Sequence, residues 1–223
     1  MQIKGVIFDL DGTLLESEEI QWEVWRNAGR FFGISLSKED YMHFAGDFGI
    51  KVAKDIVEKK GVKASPEEFL RRKREMTAGF LEKSDIKFMP YAKEAIEFFI
   101  KRGIKTAIAT NTSRNNAEIK VRKAKIDTEK IALVAATDVG SRGKPEPDIY
   151  LEAAKRLGLS PGECIAFEDT DSGLWSAKSA GMICFVVPTK FTKDHDFRKA
   201  DGIFKNLKEA VEYIEKKYFK TEC

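Results

Sequence analysis

Two aspartates separated by one residue, Asp9 and Asp11, close a short apolar run over 3–8 and are followed at once by Gly12 and Thr13. Where the chain is still extended, both side chains point to the same side. Two such charges about 5 Å apart repel by roughly 3 kcal/mol at an effective dielectric of about 20, so a chain that only had to fold would gain by replacing one. A close carboxylate pair can supply a nucleophile and a proton carrier, or can hold a hard cation. The plainer alternative is an acidic turn with Gly12 supplying a positive φ; that alternative leaves the complementary groups further along the chain unexplained.

Three later stretches carry such groups. Thr110-Asn111-Thr112-Ser113 follows an apolar run and opens a helical pattern. Free N–H groups and a favourable dipole at a helix start make a phosphate cradle, and Thr112 or Ser113 would serve as the helix cap. In Gly143-Lys144-Pro145-Glu146-Pro147-Asp148 a lysine is set on a loop stiffened by proline, where it loses little entropy on gripping an anion and suits the equatorial oxygens of a phosphoryl group. Glu168-Asp169 again places two acids behind an apolar run. Parallel strands would bring them beside Asp9 and Asp11, a concentration of negative charge that requires a hard divalent cation, and oxygen-only ligation suits Mg²⁺.

The elements that must position these groups follow from the hydrophobic pattern. Short apolar runs over 3–8, 105–109, 131–136, 164–167 and 183–187 read as five buried parallel strands. Helices expected over 90–102, 114–124, 147–157, 173–180 and 207–218 alternate with them, with Pro147 at a first helical position and Asp171 as a cap. The fold class is α/β, a doubly wound, Rossmann-like parallel sheet. Between the first strand and the rest lies a block with helical periodicity only, Ile20, Val24, Trp25, Ala28 and Phe32 setting the phase of its first helix behind a capping Ser17. Further helices are expected over 50–60 and 66–81. The block reads as an inserted all-helical cap over 16–87, with the core domain formed by 1–15 and 88–223. Both connections would emerge beside Asp9.

Net charge of +3, from 39 basic and 36 acidic residues spread along the chain, offers no electrostatic footprint for nucleic acid. No apolar run approaches the ~20 residues that span a bilayer, so no membrane partner is expected. The first apolar run begins at Ile3, so no signal peptide is expected. Cys164, Cys184 and Cys223 lack metal-like spacing and read as reduced thiols. A cytoplasmic monomer or weak homodimer is expected. His43 and His195 show no partners in sequence and read as surface residues.

Taken together, Asp9-Leu10-Asp11-Gly12-Thr13, Thr110-Asn111, Gly-Lys144-Pro-x-Pro-Asp and Glu168-Asp169-x-x-x-Gly173 resemble, in order, the four signatures of the haloacid dehalogenase superfamily, in its phosphatase and β-phosphoglucomutase-like branch. The resemblance covers essentially the whole chain. It implies a Mg²⁺-dependent phosphatase acting on a small-molecule phosphomonoester, with Asp9 as nucleophile forming an aspartyl phosphate and Asp11 as general acid and base. Thr110, with Asn111 beside it, and Lys144 would bind the phosphoryl group. The metal would be held by Asp9, the backbone carbonyl of Asp11, Asp169 and, assisting, Glu168. Dehalogenase relatives lack the second acid and phosphonate-cleaving relatives replace it, so the presence of Asp11 points to an oxygen ester. A sugar-phosphate mutase is the alternative, but Gln21 stands where mutases keep a histidine and Asp47 falls where they keep a basic residue. A catalytically silent phosphometabolite-binding protein would be expected to have lost one of these acids or the lysine. Leaving-group choice is expected from cap residues, with Gln21, Trp22, Asp47, Phe48, Lys51 and Lys73 as candidates.

Overall fold

The computed structural model describes residues 2–140 and 143–219; Cys223 lies outside them. Its strands are β1 (Gly5–Phe8), β2 (Lys105–Thr110), β3 (Ile131–Ala135), β4 (Cys164–Glu168), β5 (Ile183–Val186) and β6 (Gly202–Ile203). They form one sheet, every pair parallel, in the order β3-β2-β1-β4-β5-β6. Five strands are expected from sequence; the sixth is a two-residue edge strand, too short to show as an apolar run. Strand β1 is buried along its length because it lies between β2 and β4, with Phe8 opposite both Ile108 and Phe167. The chain winds outward from β1 to β3 on one side and then from β4 to β6 on the other. The crevice outside the carboxyl ends of β1, β2 and β4 is therefore the switch point where ligands bind in such sheets.

Alternation along β1 serves both faces. Val6 and Phe8 enter one core with Phe99, Phe167, Phe185 and Ile214, and Phe8 stacks on Phe167 with ring centroids 5.0 Å apart. Ile7 enters the other core with Ala107, Tyr150, Ala166 and Leu174. Each such apolar side chain contributes about 1.5–3 kcal/mol by leaving water.

Four helices separate β1 from the next core helix: α1 (Glu18–Phe31), α2 (Lys38–Met42), α3 (Gly49–Lys60) and α4 (Pro66–Lys83). They bury a core of their own, in which Trp25 and Phe32 both stack on Phe69. Helix α2 is not expected from sequence; five residues are too few to show a period, and its signal is the capping box of Ser37 and Asp40. The two connections to the sheet run side by side, the Glu16 N–H donating to the Lys87 carbonyl at 2.9 Å and the Met89 N–H to the Leu14 carbonyl at 2.8 Å.

The remaining helices are α5 (Ala92–Lys101), α6 (Arg114–Lys123), α7 (Asp148–Leu157), α8 (Asp171–Ser179) and α9 (Leu207–Tyr218). Three starts differ from expectation. Tyr91 sits at a φ of 65°, which delays α5. Pro147 caps α7 rather than occupying its first turn. Thr170, not Asp171, caps α8, its hydroxyl accepting from the Gly173 N–H. No helix among the described residues is long and apolar enough to cross a membrane.

Candidate active site

The parallel register of β1, β2 and β4 brings Asp9, Thr110 and Glu168 to one edge of the sheet. The Lys144 ammonium, on the loop before α7, donates to Asp9 Oδ1 and, at 2.6 Å, to Glu168 Oε1. Lys144 is 2% exposed and Glu168 and Asp169 are fully buried. Carboxylate oxygens of Asp9, Glu168 and Asp169 lie within 4.8 Å of one another. Glu168 is further fixed by the Tyr150 hydroxyl at 2.6 Å and by Thr170 at 3.2 Å. Neither carboxylate oxygen of Asp169 has a hydrogen-bond partner although both are buried.

That imbalance shows in the acidities. Burial, only partly offset by Lys144, pushes the Asp9 carboxyl up to about 8, with Glu168 and Asp11 adding to the rise. Burial, followed by the charge on Asp9, pushes Asp169 well above the usual carboxylate range. Burial works to lower the Lys144 ammonium, yet Asp9 and Glu168 hold it well above its ordinary value. One cation among three acids leaves an anionic centre short of positive charge.

Asp11 faces a different set. Its carboxylate accepts from the Ser17 hydroxyl, the Lys120 ammonium and, at 2.7 Å, the Thr112 hydroxyl. Burial works to raise this carboxyl, yet the Lys120 charge and the three donors together hold it below its ordinary value. Asp11's carboxylate is thus not one of the three that cluster, and only its backbone remains for the metal role expected of it. Ser17 and Thr112, read from sequence as helix caps, spend their hydroxyls on Asp11 instead; Ser17 and Ser113 occupy the cap positions without a side-chain cap bond. Sequence reading misses Lys120 altogether, because it stands in the run Lys120-Val121-Arg122-Lys123, which resembles a solvated face. Its helical phase with Ala117 and Val121, both buried, is the signal that could have found it.

The other expected residues divide. Thr110 is buried beside Asp11. Asn111 ties loops together: its side chain donates to the Gly46 carbonyl at 3.0 Å and accepts from the Lys144 N–H at 2.8 Å. A cavity of about 630 Å³ between the helical insertion and the sheet is lined by Asp9, Asp11, Thr110 and Lys144 and by Gln21, Asp47, Phe48 and Lys73 from the insertion. Lys51 is a correction: it is exposed and pairs with Asp47 at 2.9 Å, outside the cavity lining. Trp22 packs in the insertion's own core. Lys73 donates to Gln21 Oε1 at 2.9 Å, and burial together with Lys120 brings its ammonium down to about 7. Glu18, unforeseen, also lines the cavity; it accepts from the Tyr41 hydroxyl, and burial with the nearby Asp11 charge raises it to about 7. His43 is exposed as expected, whereas His195 is half-buried and pairs with Asp171 at 3.0 Å.

Gly12 shows how tightly the turn is drawn. Its φ is +84°, and a Cβ there would run into the Asp169 carboxylate. Gly12→Ala is expected to cost at least roughly 1–2 kcal/mol from the left-handed backbone alone, read by urea denaturation. A change within about 0.3 kcal/mol would contradict this close approach.

A doubly wound parallel sheet with a helical insertion after its first strand, and acids and a lysine converging at the switch point, defines the class. A family model of haloacid dehalogenase-like hydrolases matches residues 3–181, and the chain belongs to that family. It is 33% identical over 220 residues to protein CbbY of Rhodobacter capsulatus, covering 95% of this chain and 96% of that protein. It is 32% identical over 181 residues to the phosphorylated carbohydrates phosphatase of Thermotoga maritima, covering 81% of this chain and 82% of that protein. Among solved structures, a mutant of CbbY from Rhodobacter sphaeroides in complex with xylulose-(1,5)bisphosphate aligns with a TM-score of 0.84 at 27% identity, over 93% of this chain and 96% of that chain.

Proposed function

We propose that the protein is a Mg²⁺-dependent phosphatase that hydrolyses a small phosphorylated metabolite, a sugar phosphate foremost, through a phosphoryl group carried on Asp9. The observation that carries this reading is the juxtaposition of Asp9 and Lys144 in direct contact, with the two unpartnered oxygens of Asp169 beside them. Relatives named as phosphatases of phosphorylated carbohydrates support the substrate class.

Three buried carboxylates with hard oxygen donors and one lysine fit a divalent cation of the Mg²⁺ kind; Asp9, Asp169, the Asp11 carbonyl and, more remotely, Glu168 would hold it. Bound there, it would supply the positive charge that lets an anion approach an anionic phosphate. The chain's own residues do the rest. Lys144 steadies the Asp9 carboxylate and offers charge to the phosphoryl oxygens, while Thr110 and the N-terminus of α6 cradle them. An Asp9 oxygen bonds to phosphorus as the bond to the leaving oxygen breaks, and Asp11 gives that oxygen its proton. Asp11 then takes a proton from water, whose oxygen attacks phosphorus and frees Asp9. A cavity of this size suits a small ligand, and Glu18, Gln21, Lys73 and Asn116 on its walls offer hydrogen bonds suited to sugar hydroxyls. Hydrolysis is preferred over mutase chemistry because Gln21 stands where mutases keep a histidine and Asp47 falls where they keep a basic residue. The reading also places the hinge at the paired connections near 14–17 and 82–89, so that the insertion over 16–87 moves on the core as a lid.

A panel of phosphomonoesters assayed with Mg²⁺ tests the reading: phosphate release that disappears on chelation is expected, and no release from any of them would refute it. A pH dependence follows from the site. Because Asp9 and Asp169 are raised, the folded, metal-free protein binds more protons there than the unfolded chain, and its stability falls as pH rises from about 5 to about 8. Magnesium must displace those protons, so its affinity rises over the same window. The increase in melting temperature on adding millimolar Mg²⁺ should be larger at about pH 8 than at about pH 6. Equal increases at the two values would contradict the assignment.

A further inference from the structure

Lys120 is fully buried, yet its charge lies against a single carboxylate. A buried ion pair is weak evidence for stability, since desolvating two charges offsets most of their attraction. Asp11 would in any case keep the Ser17 and Thr112 hydroxyls as donors. The way the donors divide gives Lys120 a use. Asp11 Oδ1 takes both Ser17 and the ammonium, whereas Oδ2 takes only the Thr112 hydroxyl at 2.7 Å, with Thr110 Oγ1 at 3.5 Å. Oδ1 is tied by a charge. Oδ2 is met by hydroxyls, which can turn to accept as readily as to donate, and these stand at the head of the phosphate cradle. The Lys120 ammonium also lies 3.3 Å from Thr112 Oγ1, which fixes that hydroxyl's place. Asp11 and Lys120 both belong to the sheet domain, at the β1 end and on α6, so their pairing does not depend on the helical insertion.

We propose that Lys120 is a positioning residue for proton transfer: it ties down Oδ1 of Asp11 so that Oδ2 stays turned toward the cradle, where its proton passes to the leaving oxygen. The inference rests on the phosphatase reading above. Asp11 enters this step carrying on Oδ2 the proton it took from water when the preceding aspartyl phosphate was cleaved. As the Asp9 oxygen bonds to phosphorus, the electron pair of the breaking P–O bond goes to the leaving oxygen and that proton follows it. Asp11 thereby returns to the carboxylate that Lys120, Ser17 and Thr112 meet in the structure. No other reactant is needed.

The test compares two substrates. An alkyl phosphate releases an alkoxide that needs the proton; p-nitrophenyl phosphate releases a phenolate that does not. Lys120→Met is expected to lower kcat/KM about 100-fold on the alkyl ester and less than about fivefold on the aryl ester, the size of a lost general-acid contribution. Lys120→Arg, which keeps charge and reach, should restore the alkyl-to-aryl ratio to within about threefold of the wild type. KM for the alkyl ester should stay within about threefold, since binding energy is not what is lost. An equal fall on both esters, or no fall on either, overturns the proposal. Failure of both Lys120→Met and Lys120→Leu to fold would assign Lys120 to stability and overturn it as well. Wild-type protein that releases phosphate from neither ester would instead overturn the phosphatase reading, and this inference with it.

Discussion

Asp9→Asn is expected to lower phosphate release by at least about 10⁴-fold while leaving the fold intact, because the amide keeps the shape of the side chain but cannot form the phosphoryl bond. Asp9 is buried among Glu168, Asp169 and Asp11 with Lys144 as its direct cationic partner. Removing its charge relieves crowding among the acids, and Lys144 retains Glu168 at 2.6 Å. Stability of the metal-free variant should therefore equal or exceed that of the wild type. A steady-state assay beside a thermal melt checks both halves, and residual turnover within tenfold of wild type would remove Asp9 from the chemistry.

The second large effect belongs to Lys144. Lys144→Met deletes the charge that Asp9 and Glu168 share in a site that water scarcely reaches. Removing one partner of a buried pair costs about 3–5 kcal/mol, and loss of one charged contact to the transferring group costs about 10²–10³ in kcat. Urea denaturation without metal should show the first and kcat at saturating Mg²⁺ the second. Part of the lost stability should return on adding Mg²⁺, since the cation and the ammonium offset the same anionic cluster. A variant as stable and as active as the wild type would contradict the geometry.

Much of this arrangement was legible in sequence. The apolar runs before Asp9, Thr110 and Glu168 mark strands, and acids at the ends of parallel strands must meet. What the runs could not show is short or depends on tertiary placement. Strand β6 exists because Phe185 and Val186 offer it an edge to pair with, not because Gly202 and Ile203 favour extension. Ser17 and Thr112 have residue types that suit caps; a carboxylate brought in from another element outbid the helix N–H groups. Lys120 is the strongest case. Charged residues in helices usually face water, and only the closure of α6 over Asp11 makes this one an interior cation. Lys51 differs in the opposite direction: read as one of the cap residues facing the core, it is exposed and its ammonium pairs with Asp47.

The central claim is that the phosphoryl group rests on Asp9 between its two transfers. Asp11→Asn should slow the water step, so that with p-nitrophenyl phosphate and Mg²⁺ the adduct accumulates. Acid quenching, borohydride reduction and peptide mapping by mass spectrometry would then convert a phosphorylated aspartate to homoserine. Homoserine at position 9 is the predicted result. Release of p-nitrophenolate with aspartate intact at position 9, or homoserine at any other position, would contradict the account.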